Sequence, residues 1–464
     1  MLVATWIITF VLIVAIGVYA GTKITQSNQW NGNDRSMSVF AVGAMLGAWQ
    51  IGGMSVVGAA QNGYTMGIAG MWYSIAGGVY FILMAILAGP LRKHMKSSSL
   101  PDLLQSRYGT GVARLQSYIW IIFGCIYIPI QLKTVASIIR IVLPNLATPA
   151  AMFIGVTIAA IYTGFAGMKG SASISRVVCI GTYVLLIIFV AKNLSGFGGY
   201  SGLLAKLPEG YEKIIGNPAM PTSTIIAWAI GGALSSIVMQ SALQPMLAAK
   251  DEKTARNGCI LGYIIAAPIC ILTAMIGMMS RAANPDLGDG ATAFAWAIKE
   301  YSSPLYAGIT FAVVTMIIAA TMATMMMATG TIMTNVYVNQ INPKAEDKKV
   351  LMVSRIGTIV VAYLSLAVGF IIPSASLTSV FLTLTYAVTS PFSFCVIGGL
   401  FWDRISTKSA FLSIICGIVV AVIWVFSGMN SKLSVVYPVI IVSYAVGIIA
   451  TLLIAPDQKV KAAK

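Results

Sequence analysis

Charge is scarce in this chain. Of its 464 residues only 9% are Asp, Glu, Lys or Arg, against about 25% in an ordinary soluble domain, so a water-soluble fold is excluded. Acidic residues number 13 and histidine occurs once, as His94 in a basic link. The clustered acids or histidines that a metal centre, a catalytic triad or an intramembrane enzyme would need are therefore missing. Six cysteines, Cys125, Cys179, Cys259, Cys270, Cys395 and Cys416, all lie in apolar segments without CxxC spacing, which points to packing and not to a disulfide framework or a zinc site. No enzyme and no organic cofactor is expected.

What the chain has instead is apolar length. It is 58% hydrophobic, with a mean hydropathy of +0.88, and apolar runs of roughly 20 residues, each enough to cross the hydrocarbon of a bilayer as a helix, recur throughout. The expectation is an all-α polytopic membrane protein with about thirteen spans, at 2–21, 38–61, 68–91, 114–140, 148–166, 171–194, 223–248, 257–280, 305–339, 350–373, 376–402, 408–427 and 433–455. The first run lacks a basic leader and a small-residue cleavage site, so it reads as a retained helix and not as a signal peptide.

The formal charge of +16 does not call for nucleic acid. Basic residues such as Arg92, Lys93, Lys169, Arg176, Lys250, Lys253, Arg256, Lys344, Lys348, Lys349, Arg404 and Lys408 fall in links on one side of the odd-numbered spans. By the positive-inside rule these links are cytoplasmic, which puts the N-terminus outside and the C-terminus in the cytoplasm of a multi-pass protein of the cell membrane. The expected partners are the lipid bilayer and a small-molecule solute, with the chain acting as a monomer.

Two spans contain residues that spoil helices. The stretch GAWQIGGMSVVGAAQNGYTMG (47–67) places Gly52, Gly53 and Gly58 beside Gln50 and Ser55, and a glycine costs a helix interior about 1 kcal/mol. Close helix packing would explain the glycines, but not the polar side chains among them. A discontinuous helix explains both, because its freed carbonyls and half-helix ends build a solute and cation site near the midplane. AWAIGGALSSIVMQSALQP (227–245) has the same character five spans later. Five is odd, so two interrupted spans at that separation have opposite orientation and imply an inverted repeat, with 38–194 as its first half and 223–402 as its second. Residues 1–37 and 403–464 are accessory segments of the same single transporter domain, 1–464.

Four further stretches carry a resemblance. GAAQNGYTMG (58–67), YTGFAGMKG (162–170), LAAKDEKTARNG (247–258) and GGLFWDRISTKSAFLSIICG (398–417) resemble, in order and spacing, the signature regions of the sodium:solute symporter family. The resemblance implies a LeuT-type 5+5 inverted repeat with one extra N-terminal and two extra C-terminal helices. It also implies transport of sugars, amino acids, carboxylates, vitamins or sialic acids, usually driven by sodium.

Carried over by position, the family's cation-binding carbonyls fall on Ala48 and Ile51, and its solute contacts on Gln50, Gly52 and Ser55. The family pairs these carbonyls with two neighbouring hydroxyls in the ninth span, here TMIIAATMATMMMATGTIMTNVY (315–337). Aligning the span's end without gaps puts Ala319 and Ala320 at the hydroxyl positions; aligning AATMAT puts Ala323 and Thr324 there. Neither register keeps the pair. Where the family has Thr-Asp in the sixth span, this chain has Ser175-Arg176. The sodium site is thus expected to be degraded, with Thr321, Thr324 and Ser175 as the remaining hydroxyls and Arg176 as either a surrogate cation or a snorkelling cytoplasmic residue.

Lys133 is the basic residue well inside a span, and it either holds an anionic solute such as a carboxylate or snorkels outward. Trp49 and Tyr73 are expected to line the cavity, whereas Trp72 and Tyr386 read as residues of an interfacial belt. The function expected is a secondary transporter of a small polar solute. Sodium, proton-coupled and uncoupled transport all remain open, and a transporter-like sensor is the competing class.

Overall fold

The computed structural model describes residues 1–22, 24–95, 99–371 and 377–457. The expected span limits at 373 and 376, and the accessory residues beyond 457, lie outside the described residues. Among those described, all regular elements are helical, with only two isolated bridges, Met37 with Ala249 and Asn217 with Met220.

Among the described residues ten helices are long and apolar enough to cross a membrane, or eleven when the bent pair Thr222–Ser236 and Gln240–Leu247 counts as one span. The difference from thirteen has a local cause in each case. The spans at 38–61 and 68–91 fall within one 56-residue helical stretch, Val39–His94, and the fifth span yields only the shorter apolar helix Thr148–Ile161.

Between the fifth and sixth spans the sequence suggests a polar link around Gly167 to Gly170. The structure also parts there, two helices within Thr148–Leu194 meeting at the non-helical Gly167 (φ 54°, ψ −161°) with no loop between them. Only glycine takes this backbone conformation cheaply, and a Cβ there would sit 2.9 Å from both Ile24 and Trp30.

Trp30 is fully buried at that kink, and the segment following it closes one end of the bundle. The Met37 N–H donates to the Ala248 carbonyl (3.0 Å) while the Lys250 N–H donates to that of Met37 (3.1 Å). The Lys169 ammonium pairs with the Asp34 carboxylate at 2.7 Å. At the same end, the Asp251 carboxylate caps the Glu252–Ala266 helix by accepting from the Thr254 backbone N–H, a bond that holds the Asp251 carboxyl below its usual range.

Pro304–Val336 is the central post, buried along most of its length. It is apolar around its whole circumference, as a helix enclosed by others must be, and it packs on Leu2–Gly21, Val39–Gly53, Thr110–Val142, Thr148–Leu194 and Asp347–Ile371. Peripheral helices turn large side chains outward instead. Ile180, Val184, Ile187 and Ile188 recur at helical spacing on one exposed face, the belt that meets lipid.

Helices in lipid associate through close packing, since lipid tails are as apolar as leucine. Ala59–Met66 and Ile269–Ala283 show this most directly. A Cβ on Gly277 would fall on the Ala60 carbonyl oxygen, and one on Gly63 would fall on that of Ala274, so the two backbones touch.

Candidate functional site

The span beginning at Val39 breaks at Gly52, whose φ of 25° and ψ of −164° are not helical. A π-helical turn, Met54–Gly58, follows before Ala59–Met66 resumes the α-helix; single π-turns of this kind collect at functional positions. The Gly53 N–H freed by the break is taken by the Gln131 Oε1 at 3.0 Å. The second interruption, between Ser236 and Gln240, bends its pair of helices by 60°. Gly232 lets this pair approach the first half of the bundle, because a Cβ there would stand 2.5 Å from the Gly77 carbonyl oxygen.

A narrow cavity of about 40 Å3 lies between the two breaks. Trp49, Gln50 and Gly52 line it from the first break, and Ser235, Ser236 and Met239 from the second. Tyr73, Tyr127, Gln131, Trp228, Thr385 and Tyr386 complete the wall. Among the described residues this lining carries aromatic rings, amides and hydroxyls and no formal charge. Trp49 Nε1 and Thr385 Oγ1 are buried there without a protein partner, and such groups call for a ligand or ordered water.

A wider vestibule of about 280 Å3 adjoins this cavity and shares Trp228, Leu382 and Tyr386 with it. Its other walls come from Asn62 and Met66, from the 219–224 link and from the 430–437 link. The partition between the two spaces is thin. Tyr73 meets Trp228 edge-on at 6.0 Å, and the Tyr386 hydroxyl donates to the Trp228 carbonyl at 3.5 Å.

Of the residues expected at the solute site, Trp49, Gln50, Gly52 and Tyr73 line the cavity together, and Tyr386, expected at an interface, joins them. Trp72 stays at the edge, donating its indole N–H to the Ile214 carbonyl (2.7 Å). Ser55 lies behind the break: its hydroxyl donates to the Gln50 carbonyl (2.7 Å) and meets Ser74 Oγ (2.8 Å), while Thr273 donates to the Ser55 carbonyl (2.8 Å). It fastens the π-turn and does not line the cavity.

Lys133 is also absent from the lining. It is half-buried and sits two residues beyond Gln131, a rotation of about 200° around the helix.

At the cation positions, the Thr321 hydroxyl oxygen lies 3.1 Å from the Ala48 carbonyl oxygen, 3.4 Å from that of Trp49 and 3.2 Å from that of Ile317. One proton cannot serve three acceptors, so the cluster is rich in oxygen and poor in hydrogen. The Ile51 carbonyl accepts the Met54 N–H within the turn. Ala319 and Ala320 are buried on the same helix, and the Thr324 hydroxyl turns back to the Ala320 carbonyl at 2.8 Å. The side chain that reaches the broken helix is therefore Thr321, between the positions given by the two alignments.

Ser175 is buried. Arg176 folds along its own helix, with Nε donating to the Ala172 carbonyl (3.2 Å) and a terminal nitrogen to Ser173 Oγ (3.0 Å).

Tyr127, Gln131, Trp228 and Thr385 were not anticipated. Tyr127 and Gln131 stand four residues apart on one helix face, a polar pair in an apolar span, and that spacing was the signal available.

Two broken spans around an uncharged central cavity, in a bundle of apolar helices, define a LeuT-type transporter fold. The profile of the sodium:solute symporter family matches residues 32–417, and the chain belongs to that family.

Among its relatives, the sodium/glucose cotransporter 4 of Danio rerio is 23% identical, with 91% of this chain and 71% of the relative covered. A monocarboxylate transport permease protein of Rhizobium johnstonii is 24% identical over 80% and 78%, and the osmoregulated proline transporter OpuE of Bacillus subtilis is 21% identical over 96% and 93%. Among solved structures, a Na+-coupled sialic acid symporter in a substrate-bound outward-open state superposes with a TM-score of 0.81 at 16% identity, covering 98% of each chain. A nucleobase-cation-symport-1 family transporter in a closed conformation reaches 0.65 at 14%, covering 93% of this chain and 95% of its own. These two likenesses concern the fold.

Proposed function

We propose that the chain is a secondary transporter that moves a small, neutral, hydroxyl-rich solute across the cell membrane by alternating access between the repeats 38–194 and 223–402. The observation that carries this reading is the uncharged cavity at the two helix breaks, lined by the Trp49, Tyr73 and Trp228 rings, the Gln50 and Gln131 amides and the Ser235, Ser236 and Thr385 residues. Rings that cover the faces of a solute, together with amides and hydroxyls that fix its orientation, suit a sugar or polyol. The relatives' names span glucose, myo-inositol, proline and monocarboxylate. A carboxylate alone would enter this cavity without a counter-charge, since Lys133 lies elsewhere. A zwitterion is the second reading, favoured by the half-helix ends at Gly52 and Gln240, whose dipoles take opposite charges.

With the N-terminus outside, the vestibule faces outward and the Met37–Ala249 contact closes the cytoplasmic end. The chain works as a monomer in the bilayer and has no nucleic-acid partner. A thermal-shift screen of sugars, polyols and amino acids, with and without sodium, followed by uptake into proteoliposomes, tests the reading. Stabilisation and saturable uptake by a neutral hydroxylated solute are expected; stabilisation by monocarboxylates alone would replace it.

Sodium is the coupling ion of the family. For this chain we propose a weak cation site at the Ala48 carbonyl and Thr321 hydroxyl, short of the second hydroxyl and of the acid at Ser175. Uptake should accordingly respond only modestly to a sodium gradient. Thr321→Val should raise the half-saturating sodium concentration about ten-fold, equivalent to about 1.4 kcal/mol, whereas Thr324→Val should leave it unchanged. Equal effects of the two replacements, read by uptake at varied sodium, would refute this site.

A further inference from the structure

The break at Gly52 sets free backbone donors as well as carbonyls. From Gly53 (φ −67°, ψ −32°) the chain is helical again through Met54–Gly58 and Ala59–Met66, and the first N–H groups of a helix have no partner inside it. Such a start carries the positive end of the helix dipole, and in a broken span it points at the anionic group of a solute. Here the first two donors are already taken. The Met54 N–H goes to the Ile51 carbonyl, and the Gly53 N–H goes to Gln131 Oε1 at 3.0 Å.

The acceptor for Gly53 comes from a different span. Gln131 stands on Thr110–Val142 and is 2% exposed. Its Nε2 donates to the Tyr127 hydroxyl, one turn earlier, at 3.4 Å, so the amide is held at both ends. An N–H can be met only by the oxygen of that amide, which fixes its orientation. Gly52, Met54 and Gln131 line the central cavity, whereas Gly53 does not, so the amide stands between the freed N–H and the solute. A bare backbone at 53 is what permits the approach. A Cβ there would stand 2.7 Å from Gln131 Oε1 and 2.9 Å from Thr134 Cγ2, and the amide would be pushed away.

We propose that Gln131 sets the specificity of the site by excluding carboxylates. Its neutral oxygen occupies the place a solute carboxylate would take at the start of the half-helix. A carboxylate can enter only by displacing it, which leaves the Gln131 amide buried without its partner, a penalty of the same order as the bond gained. A neutral hydroxylated solute makes no such demand and binds with the pair intact. This rests on the transporter reading above and sharpens it, because it names the residue that decides between a sugar or polyol and an acid. The carboxylate of a zwitterion meets the same obstacle.

Thermal unfolding of the full chain in detergent with sodium L-lactate, against sodium chloride at the same ionic strength, reads the exclusion without requiring transport. The unmodified protein should show no lactate-dependent shift. Gln131→Ala removes the acceptor and leaves space beside the Gly53 N–H. Lactate should then bind about ten-fold more tightly than to the unmodified chain, the worth of one hydrogen bond to a charged group, with a saturable rise in the midpoint. Gln131→Leu removes the acceptor but fills the space, and Gln131→Glu offers the N–H a carboxylate of its own; neither should gain lactate binding. Equal stabilisation of the unmodified protein and Gln131→Ala overturns the proposal, as does the absence of any gain in Gln131→Ala. A gain in Gln131→Leu or Gln131→Glu equal to that in Gln131→Ala also overturns it, since loosened packing alone would produce that result. If Gln131→Ala is not recovered folded, Gln131→Ser replaces it with the same expectation. Failure of both to fold makes the amide a structural element and overturns its role in specificity. Uptake of D-glucose and myo-inositol into proteoliposomes keeps the two readings apart: if neither is transported the functional reading fails, while the lactate shift still decides the role of Gln131.

Discussion

Gly52→Ala should reduce saturable uptake by about a hundred-fold while the protein still folds. Two costs coincide at this residue. Its φ of 25° lies where an L side chain is strained, and a Cβ would stand 2.8 Å from Thr321 Oγ1 and 3.2 Å from Thr321 Cγ2. Left-handed backbone costs about 1–2 kcal/mol, and the steric clash adds about 1 kcal/mol or more. Relief comes by straightening the break or displacing Thr321, and either change moves Gln50 and the Ala48 carbonyl away from the cavity. Since each 1.4 kcal/mol is a factor of ten, the combined loss approaches two decades in site occupancy. Uptake and solute-induced thermal shift should fall together, with the unfolding midpoint of the solute-free protein little changed. Wild-type uptake by the variant would show that the break does not form the site.

Gly277→Val should act on the fold itself. The nearest atoms to a Cβ at this position are backbone: the Ala60 carbonyl oxygen, and the Tyr64 nitrogen at 2.8 Å. No rotamer change removes such a clash, so Ala59–Met66 and Ile269–Ala283 must separate and lose the contact that joins them. A cost above about 3 kcal/mol is expected, the upper end for overpacking, and most of the protein should be recovered unfolded or aggregated. Gly111→Ala provides the contrast, because nothing lies within 4 Å of a Cβ there; it should leave the midpoint unchanged or raise it slightly. Thermal unfolding in detergent followed by size-exclusion chromatography separates the two outcomes.

Much of the architecture was legible because membrane folding leaves coarse marks. The Gly52 interruption could be read because paired glycines beside glutamine and serine are costly in an apolar helix without a compensating role. The interruption at Gly167 was legible as the boundary between the fifth and sixth spans, but not that the two helices would meet there without a loop. Their close meeting depends on Trp30 and Ile24 packing against Gly167, a contact between distant segments.

Phase around a helix was the other limit. One residue of register rotates a side chain by about 100°. That is why two plausible alignments of the ninth span bracketed Thr321 without selecting it, and why the sequence left Lys133 open between the cavity and the outer surface while Gln131, two positions earlier, lines the cavity. Tyr127 and Gln131 were visible only as an isolated polar pair; Gln131 takes the N–H that Gly53 presents and donates its own amide to the Tyr127 hydroxyl.

The neutrality of the central cavity has an electrical corollary. Moving one elementary charge through 100 mV is worth about 2.3 kcal/mol, but a lining without formal charge gives the membrane potential nothing to push when the empty carrier reorients. On the reading proposed above the cargo is neutral and adds nothing either. Any current during turnover would then belong to a co-transported cation, and charge moved per solute would count the ions carried.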